Sequence, residues 1–346
     1  MIDSILFVDD SMVVLETARD LFLNQGITIL TAESALKAIE IIRHQDIAVV
    51  VSDNFMPGVS GLEFLTRLKE IAPETVKILM TGNADLSCAL EAINRCEVYR
   101  FILKPWNDIE LLTTVQEAIR RYRVLISLRQ EEEDGLRYLA HAIELKDPCT
   151  KGHCDRVAIF ALQIADQLQL PKEIKREIKY GSWLHDCGKI GITEAILNGS
   201  HQLNATEIEA MKMHVDWGAD LAAKANLSRV ARNIIRFHHE RYDGTGYPTG
   251  IGGTDIPLEA RIVSIADVYD ALKSDRPYRK QYSHDETIAI IRSMQGNALD
   301  PELVDLFLPL VDSVPYPAVS AGIIPPAVSA GITSPAVSAG IIPSVG

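Results

Sequence analysis

Histidine and aspartate recur in the second half of this chain in a pattern that suits metal chemistry. The residues are His153, His185, His214, His238 and His239, with Asp186 beside His185 and Asp267 further on. A single histidine on an amphipathic helix is usually structural or solvent-facing. Several of them with carboxylates, spread over separate helical segments, are what a metal site in the core of a bundle requires. Adjacent residues cannot face the same way on an ideal helix, so the pairs His185/Asp186 and His238/His239 point to helix ends, where a pair can straddle two metals and a carboxylate can bridge them. Imidazole plus carboxylate without thiolate suits iron, manganese or another borderline-to-hard divalent ion better than structural zinc. Cys154 and Cys187 lie close by in sequence and are expected not to coordinate.

A second constellation lies near the N-terminus. Asp9, Asp10, Asp53, Thr81 and Lys104 each follow or end a short apolar run. Any one of them could be a cap or turn residue, and Asp53 taken alone would more often be a loop aspartate. Together they bring carboxylates, a hydroxyl and an ammonium to one rim, which is the logic of phosphoryl transfer to a carboxylate. The acids would repel one another unless a divalent cation such as Mg²⁺ sat among them. Asp53 would then be the acceptor, with Thr81 and Lys104 holding phosphoryl oxygens.

The elements that must position these groups are legible from periodicity. SILFV, ITIL, IAVVVS, TVKILM and YRFIL read as buried strands, each followed by a helical pattern such as EFLTRLKEI. That alternation predicts an α/β doubly wound, five-stranded parallel sheet, in which function gathers at the carboxyl ends of the strands. A proline-free segment follows. Val115, Ile119, Tyr122, Ile126, Leu136 and Ile143 there fit a heptad-like drift, read as a long helix that Gly135 could interrupt. It serves either as a plain linker or as a parallel dimerisation stem, and the stem is the preferred reading. From Asp147 to about Leu310 the pattern is helical throughout, an all-α domain. The tail repeats PAVSAGI from Pro317, Pro326 and Pro335 with no charge, and is expected to be disordered or extended and dispensable for catalysis.

The chain has 346 residues, more than one hydrophobic core usually serves, and a net charge of −13, which argues against nonspecific nucleic-acid binding. Its 5 cysteines fit no paired framework, and no apolar run is long enough to span a bilayer. These features predict a cytoplasmic protein without membrane insertion.

FVDD, DNFMPGVSG, MTG and KPW resemble the receiver domain of two-component response regulators. The resemblance implies a flavodoxin-like fold, Asp53 as phosphoacceptor, Asp9 and Asp10 as Mg²⁺ ligands, Thr81, Lys104 and the aromatic Tyr99 as switch residues, and a cognate histidine kinase as partner. HDCGK, HHERYDGTGYP and ADVYDALKSDRPYR, in that order, resemble the HD-GYP domain, a subgroup of the HD phosphohydrolases. That resemblance implies a centre of two divalent transition metals, iron or manganese, held by His153, His185, Asp186, His214, His238, His239 and Asp267. Lys189 would face phosphate, with Asp186 and Lys189 taking the catalytic roles, and Arg276 would help bind substrate. Asp243, Gly244, Gly246, Tyr247 and Pro248 would form a GYP loop that shapes the pocket lip or meets a partner. The organisation expected is a receiver over residues 1–122, a linking signalling helix over 123–146, an HD-GYP domain over 147–312 and a tail over 313–346.

The implied activity is a response regulator whose phosphorylation at Asp53 controls metal-assisted hydrolysis of cyclic di-GMP to pGpG and onward to GMP, the protein acting as a homodimer. Alternatives are an adaptor that senses nucleotide or recruits GGDEF diguanylate cyclases, and a hydrolase of cyclic GMP-AMP. Two positions depart from the family pattern. Cys149 stands where some members have a glutamate that holds a third metal, so two metals are expected. Gly199 to His201 replaces a frequent KPG, which removes a basic side chain near the pocket.

Overall fold

The computed structural model describes residues 3–23, 25–82, 97–146, 151–199, 201–275, 279–313 and 316–317. The chain divides into two compact units, Met1–Glu132 and Glu133–Gly346.

In the first unit, strands β1 (Ser4–Val8), β2 (Thr28–Ala32), β3 (Val49–Asp53), β4 (Val76–Thr81) and β5 (Arg100–Leu103) form one parallel sheet in the order β2-β1-β3-β4-β5. The strands are apolar on both faces because both are covered. Ile5, Phe7, Val49, Val51, Ile78 and Met80 pack on one side with α1 (Met12–Phe22) and the start of α4 (Asp108–Glu144). Leu6, Val8, Val50 and Leu79 pack on the other with α2 (Ala35–His44) and α3 (Gly61–Ile71). Ser60 and Glu63 cap α3 reciprocally and so fix where the chain leaves β3. The helical segment expected between the fourth and fifth strands lies outside the described residues.

Helix α4 runs unbroken through Gly135, where the sequence allowed an interruption. One glycine costs a helix only about 1 kcal/mol, and its neighbours are secured on both sides. Leu111, Val115, Ala118, Ile119 and Tyr122 are buried in the core of the first unit. Leu136, Ala140 and Ile143 pack with Leu184, Cys187, Ala222 and Ile235 of the second. The apolar stripe that resembled a dimer seam is therefore taken up largely within the chain, and the apolar residues left exposed are others, Val124, Leu128, Tyr138 and Leu139 among them.

The second unit is helical: α5 (His153–Gln167), α6 (Lys172–Leu184), α7 (Glu194–Leu197), α8 (Ala205–Lys212), α9 (His214–Lys224), α10 (Arg229–Phe237), α11 (Leu258–Lys273), α12 (His284–Met294) and α13 (Pro301–Ser313). Its core joins Val157, Phe160 and Ile164 of α5 to Ile262, Ile265 and Tyr269 of α11, with Ile178, Ile234 and Phe307 closing it. Among the described residues no helix is long and apolar enough to cross a membrane. The repeats of the tail, and Cys88, Cys96 and Cys149, lie outside the described residues.

Candidate metal centre

Helices α6 and α10 each end one residue short of a paired motif. His185 keeps a helical backbone (φ −53, ψ −36), but Asp186 leaves it (φ −96, ψ 10) as the chain tightens into a 3-10 turn over Cys187–Gly191. That break lets consecutive side chains converge, and His238 and His239 do the same beyond Phe237. His153 opens α5 directly after Gly152, whose φ of +70 is left-handed. His214 opens α9, and Asp267 lies on α11.

These residues meet in two adjoining groups, Asp186 with His214, His238 and His239, and His153 with His185 and Asp267. Asp186 joins them. Its Oδ2 lies 3.4 Å from His185 Nε2, while its Oδ1 lies 3.5 Å from His214 Nε2 and 3.9 Å from His238 Nε2. The histidines are held by their other nitrogens. His185 Nδ1 is 2.8 Å from Ser182 O, His214 Nδ1 is 2.7 Å from Met211 O, and His238 Nδ1 is 3.1 Å from Ile235 O. Since a carbonyl only accepts, each Nδ1 carries the proton and each Nε2 is left as an acceptor. The Nε2 atoms of His185, His214 and His238 are buried without a hydrogen-bond partner. Orphaned acceptors of this kind, converging on carboxylates, fit a divalent metal.

The electrostatics agree with that fit. Burial would raise Asp186, but Lys189 and the imidazoles around it hold its carboxyl well below the usual range. Burial and the neighbouring imidazoles depress His238 strongly, and burial with His214 takes His239 down to about 3. His153 goes the other way: burial alone would lower it, yet Asp267 and Asp270 raise it to about 10. Near neutral pH the metal-free chain therefore carries a proton on His153 that an entering ion must displace. Ion uptake at the His153 group is expected to release about one proton and to strengthen as pH rises. Calorimetric titration with Mn²⁺ in buffers of different ionisation enthalpy measures this, and a heat independent of the buffer would contradict it.

Several residues that hold the centre are invisible to motif reading. Asp270 is wholly buried and accepts from His153 Nδ1 at 2.7 Å and from Arg156 Nε at 2.6 Å. Its one available sign was the i, i+3 spacing from Asp267, which puts both on one helix face. Glu240 is buried and accepts from the backbone N–H of Thr249 at 2.7 Å and of Gly250 at 3.1 Å, closing the GYP loop onto the end of the HH pair. Lys146 Nζ donates to the carbonyls of Ile190 (2.8 Å) and Ile192 (2.6 Å), bracing the turn that carries Asp186.

The expected loop residues have distinct parts. Asp243 accepts from Thr245 N at 3.0 Å and pairs with Arg241, and Gly244 takes φ +77. Gly246 passes so close to Glu240 and Arg241 that a Cβ would lie within 2.6 Å of backbone there. Tyr247, before Pro248, stacks on His239 at 4.9 Å and 30°, which sets the loop against the histidines themselves. Lys189 Nζ pairs with Asp186 Oδ2 at 2.6 Å. His201, in the departure from KPG, pairs with Glu207. Arg276 lies outside the described residues.

Cys154 falls in a third group with His141 and Asp155. Asp155 there is already taken by Arg137 and His141, and burial beside Glu144 pushes the Cys154 thiol up. Burial raises Cys187 to about 12. Both favour the thiol over the thiolate that a metal would need. A small, narrow cleft is lined by His153, His185, Asp186 and Lys189 together with the apolar Ala140, Ile143 and Trp183.

In the first unit the rim acids also meet. Lys104 Nζ lies 2.6 Å from both Asp9 Oδ2 and Asp53 Oδ1, and the Asp53 carboxylate accepts from Phe55 N at 2.9 Å. Asp10 is exposed, Thr81 is buried at the end of β4, and Tyr99 reaches Glu117 at 3.4 Å.

The response regulator receiver domain family matches residues 5–116, and the HD domain family matches residues 137–303. The chain is 35% identical over 285 residues to the cyclic di-GMP phosphodiesterase response regulator RpfG of Xanthomonas campestris, covering 75% of this chain and 74% of that one. It is 31% identical over 337 residues to a cyclic di-GMP phosphodiesterase of Thermotoga maritima, covering 89% and 90%. The chain belongs to the cyclic di-GMP phosphodiesterase response regulators. The HD domain of this family is a metal-dependent hydrolase domain, and the two histidine–aspartate groups lie within its matched span. A relative named 3'3'-cGAMP-specific phosphodiesterase 2, from Vibrio cholerae, is 35% identical over 187 residues, covering 54% of this chain and 36% of its own.

Proposed function

We propose that this chain hydrolyses cyclic di-GMP to pGpG, and in a second cut to GMP, at a dinuclear centre held by His153, His185, Asp186, His214, His238, His239 and Asp267. The observation that carries the reading is Asp186, whose two carboxylate oxygens face different histidine groups. Iron or manganese held there would supply Lewis acidity toward the phosphodiester and lower the pKa of water. The chain's own part is to aim each Nε2 through a hydrogen-bonded Nδ1, and to keep Asp186 and Asp267 ionised. Lys189 offers an ammonium beside Asp186 for a phosphate oxygen. The stacked pair of His239 and Tyr247 excludes water from one side.

In this reading Asp53 accepts phosphate from a histidine kinase, with Asp9 and Asp10 holding Mg²⁺. Lys104, which now bridges Asp9 and Asp53, shifts to the phosphoryl group, and Thr81 and Tyr99 follow. The chain works in the cytoplasm, as a homodimer through the exposed apolar residues of α4, and diguanylate cyclases are candidate partners of the GYP loop.

A second reading, hydrolysis of cyclic GMP-AMP, has support from the Vibrio cholerae relative and shares every metal position. Competition between the two dinucleotides on Mn²⁺-loaded protein separates them. Cyclic di-GMP is expected to be consumed first, and preferential loss of cyclic GMP-AMP would transfer the proposal to that substrate. Acetyl phosphate is expected to change the rate in the parent and not in Asp53→Asn. An unchanged rate in both would remove phosphorylation control from the reading.

A further inference from the structure

Tyr316 stands in VPYPAVS, at the head of the tail expected to be dispensable. Its ring is partly buried against the core of the helical unit, 6.0 Å from Phe160 and 6.3 Å from Tyr269 between ring centroids. Its hydroxyl donates to Asp270 Oδ1 at 2.6 Å and lies 3.2 Å from Ser274 Oγ. The Arg156 guanidinium lies over the same ring, 5.6 Å from its centre.

Asp270 is wholly buried, so its carboxylate depends on protein donors alone. A carboxylate offers about four lone-pair sites, and here they are filled. Oδ1 accepts from Tyr316 and from Arg156 Nε at 2.6 Å, while Oδ2 accepts from His153 Nδ1 at 2.7 Å, from Arg156 Nη2 at 3.1 Å and, at the edge of hydrogen-bond range, from Ser274 Oγ at 3.4 Å. His153 and Arg156 are the first and fourth residues of α5 and draw on one carboxylate. The phenol holds the far oxygen and so keeps the near oxygen directed at His153.

We propose that Tyr316 is a positioning residue for the metal centre: through Asp270 it fixes the ring of His153, so that Nε2 faces Asp267, at 3.3 Å, and the neighbouring His185. Without the phenol, Oδ1 is held by Arg156 alone, and the carboxylate is less firmly directed at the imidazole. The inference rests on the reading of His153 as a metal ligand. It also brings Tyr316, at the head of the tail, into the support of the site.

Loss of a group that orients a ligating histidine commonly costs 10–100-fold in metal affinity, and Tyr316 acts one hydrogen bond further out, so a loss of about tenfold is expected. The test is Mn²⁺ titration of the full chain followed by the electron paramagnetic resonance of free Mn²⁺, which counts and ranks the sites without reference to turnover. Tyr316→Phe keeps the ring and its packing. It is expected to weaken one Mn²⁺ site about tenfold and leave the other unchanged, while His153→Ala abolishes that same site. A chain ending at Pro317 is expected to bind as the full chain does, and one ending at Ser313 to match Tyr316→Phe. If Tyr316→Phe binds both ions like the parent while His153→Ala loses one, the positioning role is overturned and the metal assignment stands. If His153→Ala keeps both sites, the assignment of His153 fails and this inference falls with it.

Discussion

Asp186→Ala is expected to lower turnover of cyclic di-GMP by at least about a thousandfold, roughly 4 kcal/mol of transition-state stabilisation. It should also reduce the bound metal. The size follows from geometry: the two oxygens of Asp186 face different histidine groups, and the Nε2 atoms of His185, His214 and His238 converge on it. Removing it takes away the carboxylate that faces both histidine groups, so cations bound in this buried site would be poorly compensated. It also releases Lys189, whose ammonium lies 2.6 Å from the same carboxylate. Asp186→Asn keeps the shape and one acceptor oxygen, so it separates charge from packing. Its turnover should lie closer to that of alanine than to that of the parent. Metal analysis beside steady-state rates checks this, and an Asp186→Ala protein with full metal and an unchanged rate would contradict it.

Gly188→Ala is expected to damage the same site through the backbone. A Cβ at Gly188 would stand 1.8 Å from His214 O and 2.6 Å from Gly218 N. Both neighbours are backbone atoms of α9, so relief requires the Cys187–Gly191 turn and α9 to separate. Overpacking of this kind costs about 1–3 kcal/mol in stability. The catalytic cost should be larger in proportion, because Asp186 and His214 lie on the two pieces being forced apart. A displacement near 1 Å at a site of this kind costs about a hundredfold in rate. Gly135→Ala is the matched control. Gly135 lies within α4 with nothing within 4 Å of its added Cβ, and the change should stabilise the helix by about 0.5–1 kcal/mol without lowering turnover. Thermal unfolding and rates of the two variants check this, and a Gly188→Ala protein as active as Gly135→Ala would contradict it.

The fold was legible because its determinants are periodic. The five apolar runs match the strands to within a residue or two, and Asp9, Asp53, Thr81 and Lys104 gather at one rim because a parallel sheet brings its strand ends together. The histidine–aspartate positions were legible by type and pairing, since a helix end is the place where neighbouring side chains can converge. What supports them was not. Asp270, Lys146 and Tyr316 act through hydrogen bonds made across long stretches of chain and Glu240 through bonds that close its own loop, and nothing local to an aspartate or a tyrosine tells whether it will be buried or what it will meet. Helix α4 illustrates the same limit. Its stripe is apolar at helical spacing, but periodicity says that a face is covered and not by what, and here the cover is largely the chain's own two cores.

We read the converging histidine and aspartate side chains as a hydrolytic metal centre for a cyclic dinucleotide. Its most direct test is product analysis by chromatography after Mn²⁺-loaded, anaerobically purified protein meets cyclic di-GMP, with Asp186→Ala treated in parallel. Linear pGpG should accumulate with the parent and stay absent with the variant. No linear product from the parent, with metal bound, would contradict the account.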